Sequence, residues 1–223
     1  MARTIVFDVN ETLLDLGALE PHFERLFGET AVLSQWFSQV LQTALVMTVV
    51  GDYRDFGRDG REALGMVAAR RGVTLTADEF AAVGQGMLSL PPHPEVPAAL
   101  ARLRDAGLRL AALTNSAQAA AEAQLTNAGL APYFDEIMSV EMVQTFKPKA
   151  AVYQAAAKRL GISTSQMRMV AEHDWDVWGA MAAGCAAAFV ARPNMVLGET
   201  AVRPDIIGPD LADVAEKIIA HEQ

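Results

Sequence analysis

The sequence predicts an α/β fold in which a mostly parallel sheet is covered by helices on both faces, with a helical segment inserted after the first strand. Three observations predict it. From residue 96 onward, short β-prone apolar runs alternate with stretches of helical spacing, as in a parallel sheet whose crossovers are helices. A glycine stands just past each of four helical stretches, at Gly107, Gly129, Gly161 and Gly184, where a left-handed residue closes a helix. Residues 16–90 hold no convincing parallel strand, whereas apolar residues recur there at helical intervals.

Residues 4–7, Thr-Ile-Val-Phe, form the first strand, and Asp8 leaves its end for a polar turn. In the inserted segment Leu33, Trp36, Phe37, Val40, Leu41, Ala44, Leu45 and Thr48 mark one broad apolar helix face. A second face begins with Ala63, Leu64, Met66, Val67 and Ala68. Residues 89–94, Ser-Leu-Pro-Pro-His-Pro, end the segment, because proline lacks an amide donor and disfavours helical geometry in the residue before it. Helices are then expected at 96–106, 117–128, 150–160 and 176–183, and strands at 109–113, 136–139, 167–171 and 186–190. A short edge strand at 205–207 and a terminal helix at 211–222 complete the order.

With 223 residues, 52% of them hydrophobic and 20% charged, the chain can bury a large core and lies far from disordered compositions. Its net charge of −9 includes no basic stripe, which argues against nucleic acid as a partner and means that an anionic substrate would need a local positive site. One cysteine, Cys185, cannot form an internal bridge, and its apolar surroundings suggest a buried, inert thiol. This fits a reducing, cytoplasmic setting. The apolar stretch before Asp8 is too short for a signal peptide, and no run reaches the eighteen or so apolar residues that a membrane span needs.

Open α/β sheets bind ligands beyond the carboxyl ends of their strands, so a polar residue there projects into a crevice. Four such sites occur: Asp8, then Thr114-Asn115-Ser116 after the run 110–113, Lys147-Pro148 after 143–146, and Glu172-His173-Asp174-Trp175-Asp176 after 167–171. Each residue alone has a plainer reading. Asp8 could cap a turn, Lys147 could be a solvated surface lysine, and Asp176 could cap a helix; for Ser116, just ahead of a helix, capping is the preferred reading. Together they assemble a chemistry. A carboxylate attacks when it is ionised and oriented by a positive partner, as Asp8 and Lys147 would be. Lys147 would also offset the charge of an incoming carboxylate. Thr12, Thr114 and Asn10 supply side-chain hydrogen bonds, and the amide of Asn115 can donate to a carboxylate or a halide.

The order of an Asp with a Thr four residues on, a Thr/Ser-Asn, a Lys-Pro and an acidic cluster resembles the haloacid dehalogenase superfamily along nearly the whole chain. Asn115, Tyr153 after Lys147-Pro148, and the Trp-Asp-x-x-Gly-Ala run from Trp175 resemble its type II, L-2-haloacid dehalogenases. The resemblance implies a Rossmann-like core at 1–15 and 91–223 with a helical cap at 16–90. It implies Asp8 as nucleophile, Lys147 as its partner, and Asp176, with His173, as the groups that manage the hydrolytic water. No metal or cofactor is implied, short 2-haloacids would be the substrates, and a homodimer is an open expectation.

Three departures accompany it. The arginine that type II enzymes place after a cap tryptophan is Phe37 here, following Trp36. The serine two residues before the His173 position is Ala171, and the Tyr-Gly before the Thr12 position is Asn10-Glu11. Trp36 and Phe37 would therefore wall a small apolar pocket, with Asn115 at the halide and Arg54 as a candidate replacement guanidinium, though an ion pair with Asp52 or Asp55 is the plainer role for Arg54. Two alternatives stay open. In a Mg²⁺-dependent phosphatase of the same superfamily, Glu172 would join Asp8 and Asp176 around the metal, but Asn10 stands where such enzymes carry a proton-donating Asp. The other is a non-catalytic protein that keeps the fold.

Overall fold

The computed structural model describes residues 2–199 and 202–222. Six parallel strands form one sheet in the order β3-β2-β1-β4-β5-β6, from β1 (Thr4–Phe7), β2 (Leu110–Thr114), β3 (Glu136–Ser139), β4 (Met167–Ala171), β5 (Ala186–Val190) and β6 (Ile206–Gly208). The chain builds outward from β1 to β3 and then returns to lay β4 against the free side of β1, so the topological switch lies at β1. Phe7 pairs with Ala112 on one side and Val170 on the other. The central strands are buried on both faces, which is why they read as mostly apolar runs; Arg168 in β4 is buried as well and pairs with Asp205 and Glu222.

Helices α1 (Glu20–Phe27), α2 (Val32–Val50), α3 (Phe56–Arg70) and α4 (Ala77–Leu88) fill the segment between β1 and α5 (Val96–Asp105). Their ends follow local rules. Gly28 and Gly51 close α1 and α2 with φ of 76° each. Asp55 caps α3 by accepting from Arg58 N, and Thr76 with Glu79 forms a capping box on α4. The proline-rich return segment pairs with the outgoing chain: Asp15 N donates to Pro91 O and His93 N to Leu13 O. Helices α6 (Gln118–Asn127), α7 (Ala150–Leu160), α8 (Asp174–Ala182) and α9 (Leu211–Glu222) complete the chain. The four predicted glycines all have positive φ. One apolar cluster runs from the sheet into α2 and α3, and among the described residues no helix is long and apolar enough to cross a membrane.

Beyond β3, which ends at Ser139 as expected, a turn with Gln144 at φ 51° leads to Lys147. Three local expectations are corrected. Helix α8 starts at Asp174 with His173 as its N-cap residue, so Asp176 lies inside the first turn and is not the cap. Ser116 caps nothing, because Ala117 is the N-cap residue of α6 and makes no side-chain cap bond. The edge strand falls at Ile206–Gly208, one residue later than expected.

Candidate active site

The register of β1 brings Asp8 out at the middle of the carboxyl edge, between the ends of β2 and β4. Its carboxylate is held from two sides. Thr12 Oγ1 donates to Oδ2 at 2.8 Å, and Lys147 Nζ donates to Oδ1 at 2.7 Å. The same ammonium donates to Asp176 Oδ2 at 2.6 Å and to the Leu113 carbonyl at 2.9 Å. An ammonium has three protons, and all three are committed. Lys147, 1% exposed, therefore offsets the charge of an incoming anion through its field and not by a direct hydrogen bond. Tyr153 Oη, to which the sequence reading assigns no role, donates to Asp176 Oδ1 at 2.6 Å, so both oxygens of Asp176 are occupied.

Burial works to raise the Asp8 carboxyl, but the charge of Lys147 and the hydrogen bonds from Lys147 and Thr12 overcome it and hold Asp8 below the ordinary carboxylate range. Asp176 shares Lys147 yet moves upward, because its burial and the nearby charge of Asp8 outweigh the ammonium. Burial lowers Lys147, and the two carboxylates more than restore it, so it stays charged. The arrangement keeps an ionised carboxylate aimed into the crevice.

His173 lies over Asp8. Its Nε2 is 3.6 Å from Asp8 Oδ2 and 3.5 Å from Glu11 Oε2, and its ring stacks on Trp175 at 4.9 Å and faces Phe37 at 6.4 Å. Glu11 was not found from sequence, although a signal existed: it occupies the place where the resembling sequences carry glycine, and it adopts the left-handed conformation (φ 64°) that glycine would favour. A strained non-glycine residue beside a reactive group is a functional signal when observed. Its carbonyl accepts from His93 Nε2 at 2.7 Å, which steadies the turn. Arg192 was also missed. Its guanidinium donates to the Thr12 carbonyl at 2.7 Å and pairs with Glu95 at 2.9 Å and Glu172 at 3.4 Å.

Glu172 does not join Asp8 and Asp176 in an oxygen shell. Its carboxylate lies with Glu11 and His173, whose ligand atoms are within 4.8 Å of one another, and burial followed by the charge of Glu11 pushes it up to about 9 against the pull of Arg192. Lys147 bridges the other two carboxylates.

The family model for haloacid dehalogenase-like hydrolase matches residues 2–184. The chain belongs to this family. It is 28% identical to an (S)-2-haloacid dehalogenase of Pseudomonas putida, over 96% of each chain, and 30% identical to one from Pseudomonas sp. strain YL, over 91% of this chain and 88% of the other. The structure of an L-2-haloacid dehalogenase from Xanthobacter autotrophicus with chloropropionic acid covalently bound superposes with a TM-score of 0.91 at 27% identity, covering 98% of both chains.

Within this hydrolase the remaining predicted residues separate into two groups. Asn115 lies at the crevice: Oδ1 accepts from Lys147 N at 3.0 Å, leaving its NH₂ as the donor. Asn10 donates to Ser116 Oγ at 3.2 Å and accepts from Gln124 Nε2 at 2.9 Å. Thr12 and Thr114, expected to contact substrate, are turned inward. Thr12 is fully buried, with its hydroxyl donating to Asp8 and accepting from Glu172 N, and Thr114 accepts from Ser116 N. Arg54 pairs with Glu62 at 2.8 Å and Asp59 at 3.4 Å, not with Asp52 or Asp55, and is bound into the inserted helices. Trp36 donates to the Gly60 carbonyl at 2.8 Å. Phe37 and Trp36, expected to wall a small substrate pocket, line a cavity of about 370 Å³ among the inserted helices.

Proposed function

We propose that this hydrolase converts short 2-haloacids to 2-hydroxyacids through an ester on Asp8. The observation that carries the reading is the buried Asp8–Lys147 pair at 2.7 Å, which keeps an ionised carboxylate at the switch point of the sheet. Asp8 attacks C2 of the acid. The new C–O bond forms as the carbon–halogen bond breaks, and halide departs with the electron pair toward the NH₂ of Asn115. Water then attacks the carboxyl carbon of Asp8, which releases the 2-hydroxyacid and leaves the water oxygen in the Asp8 carboxylate. The related enzymes act on 2-haloacids by name, and the covalently bound chloropropionic acid in one of them is the species that this scheme requires.

His173, flanked by Glu11, takes the proton of that water, and Asp176, fixed by Tyr153, holds Lys147 in place. Thr12 orients the nucleophile, while Asn10 and Thr114 shape the turns whose amides receive the carboxylate. The scheme needs no metal or cofactor. The phosphatase alternative fails on a specific residue, since Asn10 can donate a hydrogen bond but cannot deliver a proton to a leaving alcohol. Residues 16–90 act as a cap over a core of 1–15 and 91–223, with Trp36 and Phe37 as the wall. A reducing, cytoplasmic setting suits the buried Cys185, whose thiol burial pushes up to about 12. A homodimer would cover Val46, Val49 and Val50, exposed along the second half of α2, and light scattering would measure it.

The deciding assay pairs halide release from 2-chloropropionate with phosphate release from phosphomonoesters, each with Mg²⁺ and with chelator. Halide release unaffected by either addition is expected; phosphate release dependent on Mg²⁺ would replace this reading. In a single turnover in ¹⁸O-water with enzyme in excess, label should enter Asp8 before product.

A further inference from the structure

The cavity behind Phe37 lies among α2, α3, α4 and the start of α6, with Val40, Leu64, Phe80, Val83 and Met87 among its walls. Its volume and mostly apolar lining match those of ligand pockets, which run from about 300 to 1,000 Å³ with a few polar groups set into them. It is not isolated from the chemistry. Phe37 lines this cavity and also the smaller space of about 350 Å³ that is lined by Glu11, His173 and Trp175, so its ring borders both. At its floor, Gln124 donates to Asn10 and Asn10 donates to Ser116. Asn10 stands two residues from Asp8. Both protons of the Gln124 amide that are assigned go to acceptors, Asn10 Oδ1 and the Met87 carbonyl, which leaves Oε1 buried without a partner among the described residues. Gln124 is 2% exposed, and it lines the cavity.

Resting on the reading of Asp8 as nucleophile toward 2-haloacids, we infer that this cavity receives the apolar C2 substituent of longer acids, of about four to six carbons or bearing a phenyl ring, with Phe37 turning aside to admit it. Carboxylate and C2 stay at Asp8 and Asn115. The chain runs past Phe37 along the walls of α3 and α4 toward the rim, where Arg61 lies over Phe80 at 4.4 Å. The enzyme's range then extends well beyond the three-carbon acids that fit with Phe37 in place.

Binding separates this inference from the catalytic reading. Halogen-free acids from propionate to hexanoate, titrated calorimetrically into the wild-type enzyme, should tighten by roughly fourfold for each methylene that enters the cavity. Gly84→Leu and Ala120→Leu place bulk in it from α4 and α6, and both should flatten the series. An added Cβ at Gly84 meets nothing within 4 Å, so that variant should fold. In turnover, the ratio of kcat/KM for 2-bromohexanoate over 2-bromopropionate should rise in Phe37→Ala and fall in the two filled variants. Equal affinities along the acid series, a series indifferent to both fillings, or halide release confined to two- and three-carbon acids would each overturn the inference. A chain-length series that collapses on filling, in an enzyme that releases no halide from any 2-haloacid, would overturn the catalytic reading instead.

Discussion

At the scale of single residues, the site is a set of charges whose positions decide which of them remain charged. Asp8→Asn removes the nucleophile while keeping the shape, and turnover should fall about a thousandfold or more; Lys147 keeps Asp176 as a partner, so the melting temperature should fall less than in Lys147→Met. Lys147→Met is more severe. It leaves Asp8 and Asp176 buried without their shared cation, and losing one partner of a buried pair costs about 3–5 kcal/mol, so both activity and denaturant midpoint should drop. His173→Ala should release one equivalent of halide per site and then stall, as burst kinetics would record; loss of the burst itself would move His173 to the first step. Glu11 opposes stability to function. Glu11→Gly relieves a left-handed non-glycine conformation worth about 1 kcal/mol, so it should melt higher, yet it strips His173 of its partner and should slow ester hydrolysis. Glu11→Gln keeps the strain and loses only the charge, which distinguishes the two effects.

At the scale of elements, catalysis depends on how closely α8 packs against the turn that carries Lys147. Gly179 is what permits it. A Cβ there would stand against Pro148 Cβ and 2.7 Å from Tyr153 Oη, so the side chains that place Lys147 and Asp176 would both have to move. In an unobstructed helix, alanine would gain about 1 kcal/mol over glycine. Here overpacking should outweigh that gain, costing about 1–3 kcal/mol, and kcat should fall more than KM rises because the displacement reaches Lys147 and not the crevice itself. A Gly179→Ala variant with wild-type kcat and raised stability would show that α8 tolerates the shift.

At the scale of the whole molecule, folding holds Glu172 neutral beside Arg192, with a pKa of about 9 against an ordinary 4.5. Between those values the folded chain binds more protons than the unfolded one, so the stability contributed by the neutral form is complete below about pH 4.5 and is lost as pH rises through 9. Glu172→Gln mimics the neutral form. It should stabilise the protein at pH 9–10 by at least about 1 kcal/mol, or about 2–4 °C, and by little near pH 5, as melting curves across pH would show. The succession of strands and helices along the chain, the inserted helices and the line of Asp8, Asn115, Lys147 and Asp176 were legible in the sequence, because apolar runs and helix-closing glycines are local and each of these polar residues lies near the carboxyl edge of the sheet. Glu11 was hidden by strain that only a measured φ reveals, and Arg192 by a reach of 180 residues to the Thr12 carbonyl. Tyr153 was visible as a motif residue but had no role until α7 met α8. Sequence alone determined where polar groups leave the apolar runs, since periodicity and turn chemistry act over a few residues. Which hydroxyls turn inward, which carboxyl keeps its proton and how large a space Phe37 closes were decided by the tertiary structure, because burial, field and packing depend on neighbours that the chain brings together only when folded.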